Sequence, residues 1–262
     1  MSKKTKIIFS AALVLALVFS FAACGDGSAD GDADMPTYIA ATETTYPPFD
    51  TIDENGEPVG LDMDLLNAIG EDQGFKVEYM DMPFDSIIPA INAGNADIIA
   101  AGLWCDPPER REKVDFTEPY YTGGEALLVK ADNDEITGQA SLTKDHKVAS
   151  QVGSAYGDKI LKMEENGELG AAVLLPGFDG CMIQLLNGDV DAVFAESAVM
   201  RWYMQQAEGE TKIAGPIEGE VNFAFAVKKG NTELLEKLDA GLANIKANGK
   251  YDEIMNKWLG EM

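Results

Sequence analysis

The side chains able to do chemistry are few: one histidine, three cysteines, and 20 basic residues set against 45 acidic ones in 262. Arg110 and Arg111 stand together ahead of the run Asp115-Phe116-Thr117-Glu118-Pro119-Tyr120-Tyr121. A guanidinium is a planar fork that donates two parallel hydrogen bonds to a carboxylate. On pattern alone, a solvated helix arginine is the commoner reading of both. Glu196 follows the apolar run Ala192-Val193-Phe194-Ala195. There it is either an acid in the first turn of a helix, favoured by the helix dipole, or a carboxylate offered to a cation. Gly153-Ser154-Ala155 reads as a helix start, where backbone N–H groups can gather an anion. Glu43, Asp106 and Asp179 are further acids, but no paired base or nucleophile accompanies them, as acid–base catalysis would require. With His146 as the single histidine and no Cys/His cluster, neither a metal site nor a cofactor is implied.

These groups need a scaffold, and the chain supplies alternating strands and helices. Residues 38–41, 75–79, 96–101, 147–151, 172–175 and 192–195 read as strands from β-branched content or period-two alternation. Residues 61–69 (running on to Gly74), 86–93 (stopped by Gly94), 155–166, 180–187 and 197–206 read as helices. The alternation predicts an α/β architecture with a mainly parallel sheet in each of two lobes. Strand-like segments 125–130 and 223–227 enclose a complete αβ set, so the chain is expected to cross to a second lobe at the first and return at the second. Helices over 232–248 and 251–259 then pack back on lobe one. The resulting partition is 36–126 with 226–262 as lobe one and 127–225 as lobe two.

Composition bounds the rest. A formal charge of −25 repels phosphate backbones, which argues against nucleic acid as a partner. Lys3, Lys4 and Lys6 precede an apolar stretch over 7–23, the pattern of a secretory signal and short of the about 20 residues a membrane span needs. It ends in Phe21-Ala22-Ala23-Cys24-Gly25, which resembles a bacterial lipobox with Phe21 where leucine is usual. Residues 1–23 are thus expected to be a lipoprotein signal peptide and Cys24 the lipidation site. An ordinary signal peptide with an incidental Cys24 is the alternative. Residues 24–35 are small and acidic, a flexible tether. Cys105 and Cys181 could pair in an exported protein, but two free, buried thiols are the expectation.

Five blocks carry a resemblance that spans the mature chain: TETTYPPFDTIDENGEPVGLDMDL (42–65), FDSIIPAINAGNADIIAAG (84–102), PPERREKVDFTEPYYTGGEALLV (107–129), LLNGDVDAVFAES (185–197) and NGKYDEIMNKWLG (248–260). Together they resemble the family 3 extracellular solute-binding proteins, which deliver polar amino acids to ABC importers. The resemblance implies a periplasmic-binding-protein type II fold, two α/β lobes joined by a two-strand hinge. It also implies a non-enzymatic protein at the outer face of a bacterial membrane, whose partners are a free amino acid and a membrane permease.

Onto this sequence the family pattern places Arg110 at the ligand carboxylate and Glu196, where aspartate is usual, at the ammonium. Tyr46 and Phe84 match the aromatic walls, and Ser154 and Ala155 the helix start beside the carboxylate. Ala101 and Gly102 would offer backbone carbonyls, and Glu43 matches an acidic position found with cationic and neutral polar ligands. The stretch from Asp97 to Arg110 is one residue longer than is common, and Leu103-Trp104-Cys105-Asp106-Pro107 replaces the usual Thr-x-Thr. Trp104 there either adds an aromatic wall or packs away. Some relatives of this fold resemble cyclohexadienyl (arogenate) dehydratases, which makes an enzyme the alternative reading.

Overall fold

The computed structural model describes residues 35–260; the expected signal segment (1–23), Cys24 and the tether as far as residue 34 lie outside the described residues. The chain begins with β1 (Thr37–Thr42), the short pair β2 (Thr51–Ile52) and β3 (Pro58–Val59), α1 (Leu61–Gln73), β4 (Lys76–Asp81) and α2 (Phe84–Ala93). It continues through β5 (Ile98–Ile99), α3 (Pro108–Arg111) and β6 (Val114–Phe116). A second set follows: β7 (Tyr121–Lys130), β8 (Lys147–Gln151), α4 (Ala155–Glu165), β9 (Ala171–Leu175), α5 (Phe178–Asn187), β10 (Ala192–Glu196), α6 (Ser197–Gln206) and β11 (Thr211–Phe223). The chain closes with β12 (Ala226–Lys228), α7 (Thr232–Ala247) and α8 (Lys250–Leu259).

Two five-stranded sheets result, ordered β4-β1-β5-β12-β6 and β11-β7-β10-β8-β9. Each is mixed rather than mainly parallel, a correction to the sequence expectation. β1 runs parallel to β4 and β5, and β8 parallel to β9 and β10. β12 is antiparallel to β5 and β6, and β7 to β10 and β11. The physical reason lies in the connections: parallel neighbours need a crossover helix, whereas the strands flanking the two crossings are fed directly from the other sheet.

The crossings lie side by side. Residues 117–120 carry the chain from the first sheet to the second, and 224–225 bring it back, joined by bonds from Thr117 N to Phe225 O and Tyr120 N to Phe223 O, 2.9 Å each. β7 pairs in the second sheet from Tyr121 onward, so residues 121–126 belong there rather than with lobe one. The segment 223–227, expected as one strand, is broken: Phe223 ends β11 and Ala226 begins β12 in the other sheet. At the break the chain meets other backbone and a hydroxyl, through Ala224 N to Leu103 O and Phe225 N to Thr117 Oγ1.

Period-two alternation sorts the first sheet's side chains. Ala40, Ile98 and Val227 face the main core with Leu65, Leu66 and Ile69 of α1, while their neighbours Ala41, Ile99 and Ala226 face Ile87 and Ile91 of α2. Burying an aliphatic side chain of this size stabilises the fold by roughly 1.5–3 kcal/mol. Cys105 and Cys181 are both free and buried. No helix among the described residues is long and apolar enough to cross a membrane.

Candidate functional site

A narrow cavity lies between the two halves, with only about 10 Å³ of it open to a water-sized sphere. From the first half Tyr46, Phe84, Gly102, Trp104 and Arg110 line it; from the second come Gln151, Ser154, Ala155, Tyr156 and Phe178. The halves are fastened around it by Gln151 Nε2 donating to Glu43 Oε2 (2.9 Å), Phe178 N to Thr45 Oγ1 (3.1 Å) and the Tyr203 hydroxyl to Thr45 O (3.1 Å). The structure is therefore closed.

Arg110 sits on the short helix α3, which the Pro107-Pro108 pair starts, and only 7% of it is exposed. Its Nη1 donates to Trp104 O at 2.9 Å and its Nη2 to Gly153 O at 3.4 Å, with the guanidinium 5.6 Å from the Phe84 ring. Among the described residues no carboxylate forms an ion pair with it. Burial pulls its pKa down, yet guanidinium stays charged in proteins. Asp158 and Glu109 favour its charge through space, but with no carboxylate in contact its remaining donors suit an anion in this cavity.

The second half presents the start of α4. Ser154 caps it, its Oγ accepting from Gly157 N (2.9 Å) and donating to Gln151 O (2.7 Å). The first-turn N–H groups of Ala155 and Tyr156 have no acceptor inside the helix. Gly153 makes the approach possible. Its φ of 75° is left-handed, and a Cβ there would lie 2.8 Å from that of Asp85.

Aromatic rings complete the wall. Trp104 stacks on Tyr156 at 5.6 Å, and Tyr46 leans on Phe178 at 5.1 Å. The hydroxyls of Tyr46 and Tyr156 are buried beside one another without a well-formed hydrogen bond, and burial pushes both phenols well up. An unmet buried hydroxyl costs roughly 1–3 kcal/mol, so these two are ready to bind a polar ligand group.

Three residues expected at the site lie elsewhere. Glu196 does not line the cavity and is not joined to Arg110. Its Oε2 caps α6, accepting from Ala198 N (2.6 Å) and Val199 N (3.3 Å), and its Oε1 accepts from the Tyr121 and Ser197 hydroxyls (2.8 and 2.7 Å). Burial raises its carboxyl. Its charge reaches the cavity through space, acting on the Tyr46 and Tyr156 hydroxyls. Glu43 sits just outside, between Thr45 N and Gln151, and burial raises it too. Ala101 packs among the α2-facing core residues. Asp106 and Asp179 are exposed, Asp106 taking the Trp104 indole N–H at 2.7 Å. Sequence reasoning missed Gln151, Tyr156 and Phe178. Gln151 closes β8, and the C-terminal ends of parallel strands are where α/β ligands bind, a signal available from the strand assignment.

The sequence pattern of the bacterial extracellular solute-binding proteins, family 3, matches residues 38–261. The putative ABC transporter arginine-binding protein 2 of Escherichia coli (strain K12) is 32% identical over 223 residues, covering 84% of this chain and 89% of that protein. An ancestral arginine-binding protein solved with arginine superposes with a TM-score of 0.80 at 39% identity, over 85% of this chain and 98% of that one. An ancestral amino acid-binding protein described as a precursor of cyclohexadienyl dehydratase gives 0.77 at 33%, over 85% and 95%. With two mixed α/β sheets, paired crossings and a closed inter-lobe cavity, this chain has the periplasmic-binding-protein type II fold and belongs to the bacterial extracellular solute-binding proteins, family 3.

Proposed function

We propose that the protein captures one free amino acid, polar or cationic, in the inter-lobe cavity and delivers it to an ABC-type importer. The observation that carries this reading is Arg110, a buried guanidinium that no carboxylate contacts, lining one cavity with Ser154 and Ala155 at the start of α4. A ligand carboxylate satisfies both. Its amine is placed at the Tyr46 and Tyr156 hydroxyls, within the field of Glu196, and its side chain runs between the Tyr46 and Phe84 rings toward Glu43. Trp104 closes the wall in place of the family's hydroxyl residues. The arginine-binding relatives support a cationic preference.

Because Arg110 belongs to one lobe and α4 to the other, the ligand rewards closure by touching both, and a ligand shifts an equilibrium only by such a difference. The closed form is what the permease would receive. Cys24 is proposed as the site of lipid attachment, holding the protein at the outer face of the membrane on two acyl chains; Cys24→Ser should release it into the medium. Capture is favoured over dehydratase activity because the residues lining the cavity include no carboxyl group to act as general acid. Thermal-shift screening with the twenty amino acids tests the proposal: one or a few should raise Tm by mass action. No shift with any of them, or conversion of prephenate or arogenate, would contradict it.

A further inference from the structure

Beneath the cavity floor lie two carboxylic acids that the binding reading leaves without a role. Asp50 and Asp62 are both 0% exposed. Asp50 Oδ1 accepts from the Thr42 hydroxyl at 2.9 Å, and Asp62 Oδ2 from Gly102 N at 2.8 Å. The other oxygen of each, Asp50 Oδ2 and Asp62 Oδ1, has no partner, nor has the enclosed hydroxyl of Tyr120 that adjoins Asp62. No lysine, arginine or histidine among the described residues pairs with either acid.

Both acids hold parts of the ligand wall. Asp62 pins Gly102, whose backbone passes so close to Tyr46 that a Cβ would sit 2.8 Å from the ring. The main chain of Asp50 is bonded in both directions to that of Tyr46, at 3.0 and 3.1 Å. Tyr120 ends the first crossing and stacks on Phe225 of the second, 4.5 Å between ring centres. The pair therefore touches the cavity floor and the hinge together.

Asp62 N bonds Phe49 O, the residue before Asp50, at 3.1 Å, which brings the two acids' main chains together. We propose that Asp50 and Asp62 are neighbouring buried acids that retain one proton between them at neutral pH, and that in this state they position Gly102 and Tyr46 for ligand. Two ionised carboxylates here would be fully desolvated like charges without a cation, which proteins resolve by protonation. A metal ion is the poorer occupant: the unpartnered oxygens number three, whereas Ca²⁺ takes 6–8 and Mg²⁺ an octahedral set. Burial, then the charges of Asp62, Glu43 and Asp81, push Asp50 up. Burial likewise raises Asp62, against the bond from Gly102 N and the nearby Tyr120 hydroxyl, which favour its charged form. The pair in turn acts on the phenols of Tyr79 and Tyr120, neither of them cationic.

The sign of the pH effect follows. The unfolded chain releases the pair's protons near pH 4, while the folded protein retains one. Stability contributed by the retained proton is thus full below about pH 4 and is lost as pH rises through the higher folded value.

The test compares wild type with the double variant Asp50→Asn/Asp62→Asn, using urea unfolding across pH 4–8. One retained proton makes the ratio of their unfolding constants, wild type over variant, rise up to about tenfold per pH unit. The Gly102 amide resonance should titrate with the same midpoint in wild type alone, a readout that mere packing would not move. Infrared spectra of native wild type at pH 7 should contain a protonated-carboxyl carbonyl band that the double variant lacks. If the double variant fails to fold, the single variants Asp50→Asn and Asp62→Asn decide, because buried Glu43 and Glu196 can also add to the wild-type band. A flat ratio, no protonated carboxyl at pH 7, or a stoichiometric cation found by elemental analysis would overturn the proposal. None of these readouts uses a ligand, so their failure leaves amino-acid capture untouched.

Discussion

Replacing Arg110 with methionine keeps much of the buried stem and deletes the charge. The guanidinium spends one strong hydrogen bond on Trp104 O (2.9 Å) and a long one on Gly153 O (3.4 Å), leaving donors for a ligand. Two charge-assisted bonds to a carboxylate, at roughly 1.5–3 kcal/mol each, sum to about 3–6 kcal/mol. That corresponds to a loss of about 10²–10⁴ in affinity. The unliganded protein should behave differently. Losing the bond to Trp104 O costs about 1–3 kcal/mol, but removing a buried charge that no carboxylate contacts offsets it, so stability should change by less than about 1 kcal/mol or rise. Calorimetry with the amino acid that gives the largest thermal shift measures the first number, and urea unfolding without ligand the second. Affinity within threefold of wild type would refute the carboxylate role. A large loss of stability without ligand would show that Arg110 is a structural residue.

Other substitutions separate the remaining roles. Glu196→Gln should cost about 1 kcal/mol of stability by weakening the cap of α6, with affinity reduced tenfold at most; a hundredfold loss in calorimetry would mean that Glu196 pairs directly with the ligand amine. Tyr156→Phe removes a hydroxyl that has no well-formed hydrogen bond in the cavity, so unliganded stability should hold or rise in urea unfolding while affinity falls by about fivefold to tenfold, the worth of one hydrogen bond. Gly153→Ala adds a methyl group against Asp85 of the other half at a φ of 75°, where a side chain costs about 1–2 kcal/mol; small-angle scattering with saturating amino acid should show incomplete closure. Unimpaired closure would remove the steric argument for this glycine.

The longer helices and most of the inner strands were legible because their signals are local. α1 stops at Gly74 and α2 at Gly94, both left-handed, as the glycines and the apolar spacing predict. The break at Ala224-Phe225 was not legible. The run Phe223-Ala224-Phe225-Ala226-Val227 alternates without a turn residue, and what ends the strand is the pull of Leu103 O and Thr117 Oγ1 from far along the chain. The length of β7 and β11 was missed for a related reason, since their pairing across the sequence sets it.

At the site, Arg110 was legible through the motif that follows it, and Tyr46 and Phe84 through theirs. Tyr156 and Phe178 carry no such signal: they meet the ligand wall only because two helix starts converge on one cavity. Glu196 shows the limit from the other side. Its position after a strand was readable, but whether its carboxylate turned to the cavity or to its own helix depended on one side-chain choice. In the closed structure it turned to the helix.

The central claim is that closure of two lobes encloses a single free amino acid. Isothermal titration of protein freed of any bound ligand, run against the twenty amino acids, tests it most directly. Saturable 1:1 binding of one amino acid, or of a small polar or cationic set, is expected, weakened by about 10²–10⁴ in Arg110→Met. Absence of binding across all twenty at millimolar concentration, or tight binding that survives loss of Arg110, would contradict it.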